Sequence, residues 1–249
     1  MKIIKFDYST IFILLVLFLC GYIRIGLMII LIVFFHELGH ILTSILFKYK
    51  VISVTIYPFG GITKLDKDIN TSPNKEMLLA LSGIIMQIIL IPLVKIINIH
   101  DYNLFMKYNL SIMIFNLLPI IPLDGSIVLK SILNKFFSFK KSYKLYIIFS
   151  IIFIILYFLF NYKYSLNNYL IIGIFIYKIY VSIKEYKYIY NRFLLERYLK
   201  KYNFKYISTK KGKLDILKLD TYQYFKEENK VVSESKKLKE RFDKQGYFW

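Results

Sequence analysis

Two histidines and a glutamate lie within five residues of one another in a stretch that is otherwise apolar. The stretch reads Val33-Phe34-Phe35-His36-Glu37-Leu38-Gly39-His40-Ile41-Leu42. Residues four apart share one face of an α-helix, so the imidazoles of His36 and His40 can bind one metal ion while Glu37 faces a water at that ion. The spacing therefore predicts a zinc site that hydrolyses peptide bonds.

The apolar surroundings of this motif indicate a function in the membrane. An ionisable side chain at the bilayer centre costs about 2.5 to 3.5 kcal/mol on insertion scales, so such residues usually mark functional sites. A packing triad without metal is the alternative for His36, Glu37 and His40. Three ionisable groups on one apolar helix favour the metal.

A third ligand is needed, because a catalytic zinc site has three protein ligands and an open position. The candidate is Asp124, which follows Pro119 and Pro122 in a second apolar segment. Each proline disfavours helix at the residue before it, so we expect the helix to break here and Asp124 to turn toward the histidines. The break would also expose the Asn116 amide to a substrate. Capping of a helix by Asp124 and an interhelical hydrogen bond of Asn116 remain alternatives.

Composition predicts an all-α polytopic membrane protein. The chain has 249 residues, 57% of them hydrophobic, and they come in long runs rather than in amphipathic patterns. Runs of about 18 or more apolar residues are read as spans. The predicted spans, about six transmembrane helices, are 8 to 23, 26 to 48, 77 to 98, 104 to 130, 145 to 161 and 168 to 184. Gln87 in the third span is expected to contribute only packing polarity.

Lysines in the short loops predict the orientation of these spans. They fall mainly on the side that carries the N-terminus, so both termini are expected to be cytoplasmic. The formal net charge is +19, but the basic residues cluster at span ends and in the tail, where topology and anionic lipid account for them. Nucleic acid is therefore not an expected partner, whereas the lipid bilayer is.

Two segments depart from the helical pattern. Residues 51 to 57 are β-branched and alternating, and Gly60 and Gly61 follow at a turn, which predicts a short re-entrant β-hairpin that lines the substrate-access route. An ordinary hairpin that touches nothing is the alternative.

We expect a six-span membrane metalloprotease domain at 1–185, with its core at 8–130, and a small cytoplasmic C-terminal extension at 186–249. Within the extension, 213–217 is strand-like and 234–241 is typical of a solvated helix.

The two motifs together resemble a known family. His-Glu-Leu-Gly-His in the second span, with Asn-Leu-Leu-Pro and Pro-Leu-Asp-Gly in a later one, is similar to the site-2 protease family of intramembrane zinc metalloproteases, peptidase family M50. The resemblance implies one Zn²⁺ per chain, with His36, His40 and Asp124 as ligands and Glu37 as general base. It also implies that Asn116 positions the substrate.

Within that family, the six-span layout and the segment 192–198 resemble a sporulation branch. That resemblance implies processing of a bacterial pro-sigma factor, pro-sigma-K, at a membrane around the forespore. The implied partners are a membrane-inserted or membrane-tethered protein substrate, inhibitory membrane proteins and a homo-oligomer.

Other functions fit parts of the pattern. Within the same class, the substrate could instead be a membrane-spanning anti-sigma factor or a signal remnant. A metal transporter would use the three ligands as a transit site, and an inactive scaffold would bind a substrate without cutting it. A single cluster that includes a general base favours the protease.

Overall fold

The computed structural model describes residues 4–57, 60–97, 101–160, 166–227 and 230–244. These residues are mostly helical and carry two small sheets. The chain divides into two compact units, of which the first comprises Met1–Lys67 and Leu78–Leu118 and the second Asp68–Met77 and Pro119–Trp249.

The first unit contains the helices that carry the histidine motif and the sheet beside it. Its elements are β1 (Ile4–Phe6), α1 (Tyr8–Leu19), α2 (Ile23–Leu46), β2 (Lys50–Tyr57), β3 (Gly60–Asp66), most of α3 (Pro73–Ile96) and α4 (Tyr102–Leu117). Its helices pack through a buried apolar cluster of Ile32, Leu90, Val94 and Phe105, which come from α2, α3 and α4.

Three of the described helices are long and apolar enough to cross a membrane. They are α2, α3 and α6 (Phe139–Phe160), and a shorter apolar helix covers Thr10–Leu19. The chain is therefore a membrane protein with several apolar helices. The count of six spans remains a prediction.

The predicted break in the fourth span is confirmed. α4 ends at Leu117 and α5 begins at Asp124, and the flanking residues Leu118 and Leu123 are both extended. Leu118 precedes Pro119, and a residue before proline is disfavoured in helical geometry. Asp124 is consequently the first residue of a new helix rather than a mid-helix residue.

The hairpin predicted after the second span is present. β2 and β3 pair antiparallel, with Tyr57 opposite Gly60 and Ile56 opposite Gly61, and β1 pairs parallel to the other edge of β2. β-Branched residues in β2 suit this pleated geometry. The turn residues Pro58 and Phe59 lie outside the described residues, and the re-entrant position of the hairpin remains a prediction.

The second unit contains the C-terminal extension. Its elements are the first residues of α3, α5 (Asp124–Phe136), α6, α7 (Leu166–Leu199), β4 (Tyr206–Lys210), a 3₁₀ helix (Leu214–Ile216), β5 (Thr221–Glu227), β6 (Lys230–Ser233) and α8 (Glu234–Lys244). The expected domain boundary at 185 falls inside α7, which continues to Leu199. β5 lies between a parallel β4 and an antiparallel β6.

One helix prediction in the extension is confirmed and one strand prediction is wrong. α8 covers the residues expected to be helical, whereas 213–217 forms a 3₁₀ turn. The alternating pattern of that segment reflects packing rather than strand pairing. Leu217 is buried in the core of the extension, with Leu214 and Ile216 packed against it, and the carboxylate of Asp215 accepts hydrogen bonds from Lys140 and Tyr190.

Candidate metal centre

His36 and His40 lie one turn apart on α2, and their side chains converge. Both residues are buried, and their Nε2 atoms are 3.1 Å apart. The rings meet edge to face at a centroid distance of 4.8 Å. The convergence follows from the four-residue spacing on one helix face.

The far side of each ring is held by an oxygen. His40 Nδ1 lies 2.8 Å from the backbone carbonyl of Leu79, and His36 Nδ1 lies 3.1 Å from Oε1 of Gln87. A carbonyl oxygen can only accept, so each Nδ1 carries a proton, and Nε2 is the nitrogen of each ring that can coordinate a metal. Two ring nitrogens that converge at this distance are placed to bind one cation.

The donor set fits zinc. A tetrahedral zinc ion with Zn–N bonds of about 2.0 to 2.1 Å holds two nitrogen ligands about 3.3 Å apart, close to the observed 3.1 Å. The ligand atoms of His36, Glu37 and His40 all lie within 4.8 Å of one another. Metal-binding histidines characteristically donate their second ring N–H to an oxygen, as both do here.

Strand β3 supports the carboxylate of Glu37. The Thr63 hydroxyl donates a 2.6 Å hydrogen bond to Oε2. Gly61 lies against the same side chain, since a Cβ at this position would be 2.6 Å from Oε1 and in closer contact with the Cγ and Cδ of Glu37. Glu37 is therefore buried against a glycine that leaves room for it, and one of its oxygens is fixed by a hydroxyl.

Two further glycines let α3 approach α2 at the site. A Cβ at Gly83 would lie 2.7 Å from both Nδ1 and Nε2 of His36, and one at Gly39 would lie 2.7 Å from the carbonyl carbon of Ser82. The Ser82 hydroxyl donates to the carbonyl of Leu79. Close helix packing thus places the acceptors of α3 within reach of the histidine rings.

The structure brings together three of the predicted site residues, His36, Glu37 and His40, with Gly61 beside them. Gly60 pairs with Tyr57 at the end of the hairpin. Asn116 is half-buried near the end of α4 in the first unit, and Asp124 is half-buried at the start of α5 in the second unit. The parts assigned to Asn116 and Asp124 remain proposals.

Sequence reasoning missed the residues that hold the motif in place. Gln87, which was expected to add only packing polarity, contacts His36 specifically. Nothing in the sequence around Thr63 indicated that it would contact the site. An isolated carboxamide in an apolar helix was the signal that would have identified Gln87 as a site residue.

Comparison with known proteins agrees with the geometry of this site. Residues 25–99, which carry all three residues of the motif, match the model of peptidase family M50. This segment of the chain is therefore a peptidase family M50 segment. Zinc is the metal that the family and the donor set both indicate.

Two curated relatives and one solved structure are similar to the chain. Stage IV sporulation protein FB of Bacillus subtilis (strain 168) is 32% identical over 189 residues, which cover 72% of this chain and 66% of that protein. A zinc metalloprotease of Methanocaldococcus jannaschii is 30% identical over 119 residues, which cover 44% of this chain and 34% of that protein.

The solved structure is a site-2 protease from the same archaeon. It shares 23% sequence identity with this chain and gives a TM-score of 0.49, over 78% of this chain and 92% of that one. Of the two relatives described before it, the chain spans just under two thirds of the sporulation protein and about one third of the archaeal metalloprotease.

Proposed function

We propose that this protein is an intramembrane zinc endopeptidase that cuts a membrane-associated protein. The observation that carries the proposal is the pair of buried imidazoles whose Nε2 atoms converge beside the Glu37 carboxylate on a long apolar helix. His36 and His40 supply two ligands, and Asp124 supplies the third. The break before α5 frees Asp124 from mid-helix geometry and supports this assignment.

Glu37 acts as the general base. When bound, zinc supplies Lewis-acid activation of water and of the scissile carbonyl. The Thr63 hydroxyl already donates a hydrogen bond to Oε2. We therefore expect Oε1 to take the proton from the attacking water and to deliver it to the leaving amine. Asn116 is proposed to position the substrate carbonyl.

The hairpin offers a place for an unwound substrate. β3 is the outer strand of the described sheet, and two of its residues, Gly61 and Thr63, contact the general base. An extended peptide that adds to this edge would lie beside Glu37, and strand addition is a common mode of peptide recognition. We propose on this basis that the Gly60 and Gly61 segment is part of the substrate-access route.

The sporulation relative supports a proposal for the substrate and the setting. We propose processing of a pro-sigma factor, pro-sigma-K, by a six-span protein whose termini are both cytoplasmic, in a membrane around the forespore. The relative's name and the coverage of 72% of this chain support a sporulation role. A membrane-spanning anti-sigma factor is the alternative substrate within the same activity.

Zinc content and cleavage, measured together, test the proposed function. We expect the purified protein to contain one zinc ion per chain, and we expect co-expression with a panel of membrane-tethered pro-proteins, pro-sigma-K among them, to yield a shortened product. Removal of zinc with a chelator should abolish the cleavage, and added zinc should restore it. Zinc-loaded protein that cuts no member of the panel would favour a scaffold, and absence of zinc would contradict the proposal.

A further inference from the structure

Two fully buried carboxamides connect His36 to the interior of the first unit. Gln87 of α3 and Asn109 of α4 are each 0% exposed. The Gln87 Nε2 lies 3.2 Å from Oδ1 of Asn109, and the Asn109 Nδ2 lies 3.3 Å from the backbone carbonyl of Gln87. With the contact between Gln87 Oε1 and His36 Nδ1 at 3.1 Å, they form a chain of hydrogen bonds that we call the amide relay: His36, Gln87 and Asn109.

The direction of the amide relay is fixed at its inner end. A backbone carbonyl can only accept, so the Asn109 amide must present its NH₂ to the Gln87 carbonyl and its Oδ1 to the Gln87 side chain. Gln87 must then donate from Nε2, which turns its Oε1 toward His36. The imidazole consequently donates from Nδ1, and Nε2 is the nitrogen that can coordinate a metal.

The reversed Gln87 amide would oppose metal binding. An NH₂ group facing Nδ1 would need a lone pair there, and the neutral ring would then carry its proton on Nε2, the atom that faces His40. Such a ring cannot coordinate through Nε2. The orientation of the buried Gln87 amide therefore decides whether His36 can bind a metal through Nε2.

His40 does not depend on an amide of this kind, because its Nδ1 donates to the backbone carbonyl of Leu79. A backbone acceptor has one orientation, whereas a Gln side chain has two. Of the two histidines, His36 is therefore the one whose tautomer depends on a second residue that holds Gln87 in one orientation. Asn109 meets that requirement from a different helix.

We propose that Gln87 and Asn109 are positioning residues that fix the tautomer and ring orientation of His36 for zinc. The inference rests on the proposed metal site and identifies residues that tune it. Gln87 acts directly on His36, and Asn109 acts through Gln87. A role limited to joining α3 and α4 would leave metal affinity unchanged once the protein is folded.

Zinc affinity of the full-length protein tests the amide relay. Gln87→Met, which keeps the length of the side chain and removes the acceptor, is expected to weaken zinc binding by about 10- to 100-fold, the usual effect of losing a metal ligand's hydrogen-bond partner. Gln87→Glu retains an oxygen for the Nδ1 proton and should bind zinc far more tightly than Gln87→Met. Affinity is measured by competition with a chromophoric chelator, and the absorption spectrum of the Co²⁺-substituted protein reports the ligand geometry.

Asn109→Leu distinguishes a relay from two separate contacts. It should weaken zinc binding less than Gln87→Met does, and combining it with Gln87→Met should add little, because both act on one histidine through one amide. Gln223→Met is the matched control, since Gln223 of β5 is also 0% exposed and belongs to the second unit. That variant should keep the zinc affinity and Co²⁺ spectrum of the wild type.

The outcomes separate this inference from the proposed function. Zinc-binding wild-type protein with equal affinity in Gln87→Met would overturn the amide relay alone, as would a Gln87→Glu variant as weak as Gln87→Met. Wild-type protein that binds no zinc would overturn both. If Gln87→Met does not fold, the comparison of Asn109→Leu with the wild type decides, because unchanged affinity in that variant contradicts the relay.

Discussion

Glu37→Gln is expected to lower peptide cleavage by about 10²- to 10⁴-fold, the usual contribution of a general acid–base residue, while the protein still carries its zinc. The amide has the shape of the carboxylate and can still accept the Thr63 hydrogen bond through its oxygen. It cannot take a proton from water at neutral pH. Cleavage is measured by co-expression with a substrate that the wild type processes, and zinc by elemental analysis of the purified variant.

Asp124→Asn is the contrasting variant, because it changes a proposed ligand rather than the base. A neutral amide is a poorer zinc ligand than a carboxylate, so this variant should lose both zinc and cleavage. Unchanged cleavage in Glu37→Gln would discredit the peptidase mechanism. Full zinc binding in Asp124→Asn would remove Asp124 from the ligand set and leave the two histidines in place.

The motif could be predicted from sequence because its geometry is local. His36, Glu37 and His40 are placed by one helix, and a helix has a known period. Their supports are not local, since Gln87 is 51 residues from His36 and Thr63 is 26 residues from Glu37. Those contacts depend on how α3 and the hairpin pack against α2, which no spacing within one segment encodes.

Asp124 shows a different limit of sequence reasoning. The two prolines predicted a break in the helix, and the structure has that break between Leu117 and Asp124. The break follows from the chemistry of proline, which is local. The ligand assignment needs a tertiary arrangement and therefore remains a proposal.

The extension was harder to predict because its charges are not all solvated. α8 was expected as a solvated helix, and its helical state is confirmed. Its first residue, Glu234, is nevertheless buried, and its side chain forms a 2.7 Å ion pair with Arg197 of α7. A sequence pattern of mixed charges cannot show which of them lies inside.

Arg197 connects several parts of the second unit. Its Nε donates to Oδ1 of Asn70 at 2.7 Å, and its Nη atoms donate to Glu234 and to the backbone carbonyls of Lys218 and Thr221. Burial lowers the pKa of the guanidinium, an effect that the Glu234 carboxylate opposes. The side chain thus remains a buried cation held by a buried anion and by oriented carbonyls.

Arg197→Met should destabilise the extension by about 3 to 5 kcal/mol, the usual cost of removing one partner from a buried ion pair. The methionine fills part of the volume but leaves Glu234 as a buried charge without its cation. Hydrogen exchange of the full-length protein measures the effect as a fall in the protection of amides in β5 and α8. The free energy of local opening follows from the exchange rates.

Arg192→Met is the matched control on the same helix. Arg192 pairs with Glu196 four residues later, but its side chain is 45% exposed, and such pairs contribute about 0.3 to 0.5 kcal/mol. Protection in β5 and α8 should therefore stay close to that of the wild type. An equal loss in the two variants would show that helix α7, rather than the buried pair, controls the stability of the extension.

Removal of both charges separates the cost of an isolated charge from the loss of the pair. Glu234 also accepts the backbone N–H of Gln223 through Oε2 and lies in the first turn of α8, where negative charge is favourable. Arg197→Met with Glu234→Leu removes the uncompensated carboxylate, and it should be less destabilised than Arg197→Met alone. A double variant with the summed loss of the two single variants would contradict this account, because it would mean that the two charges stabilise the extension independently.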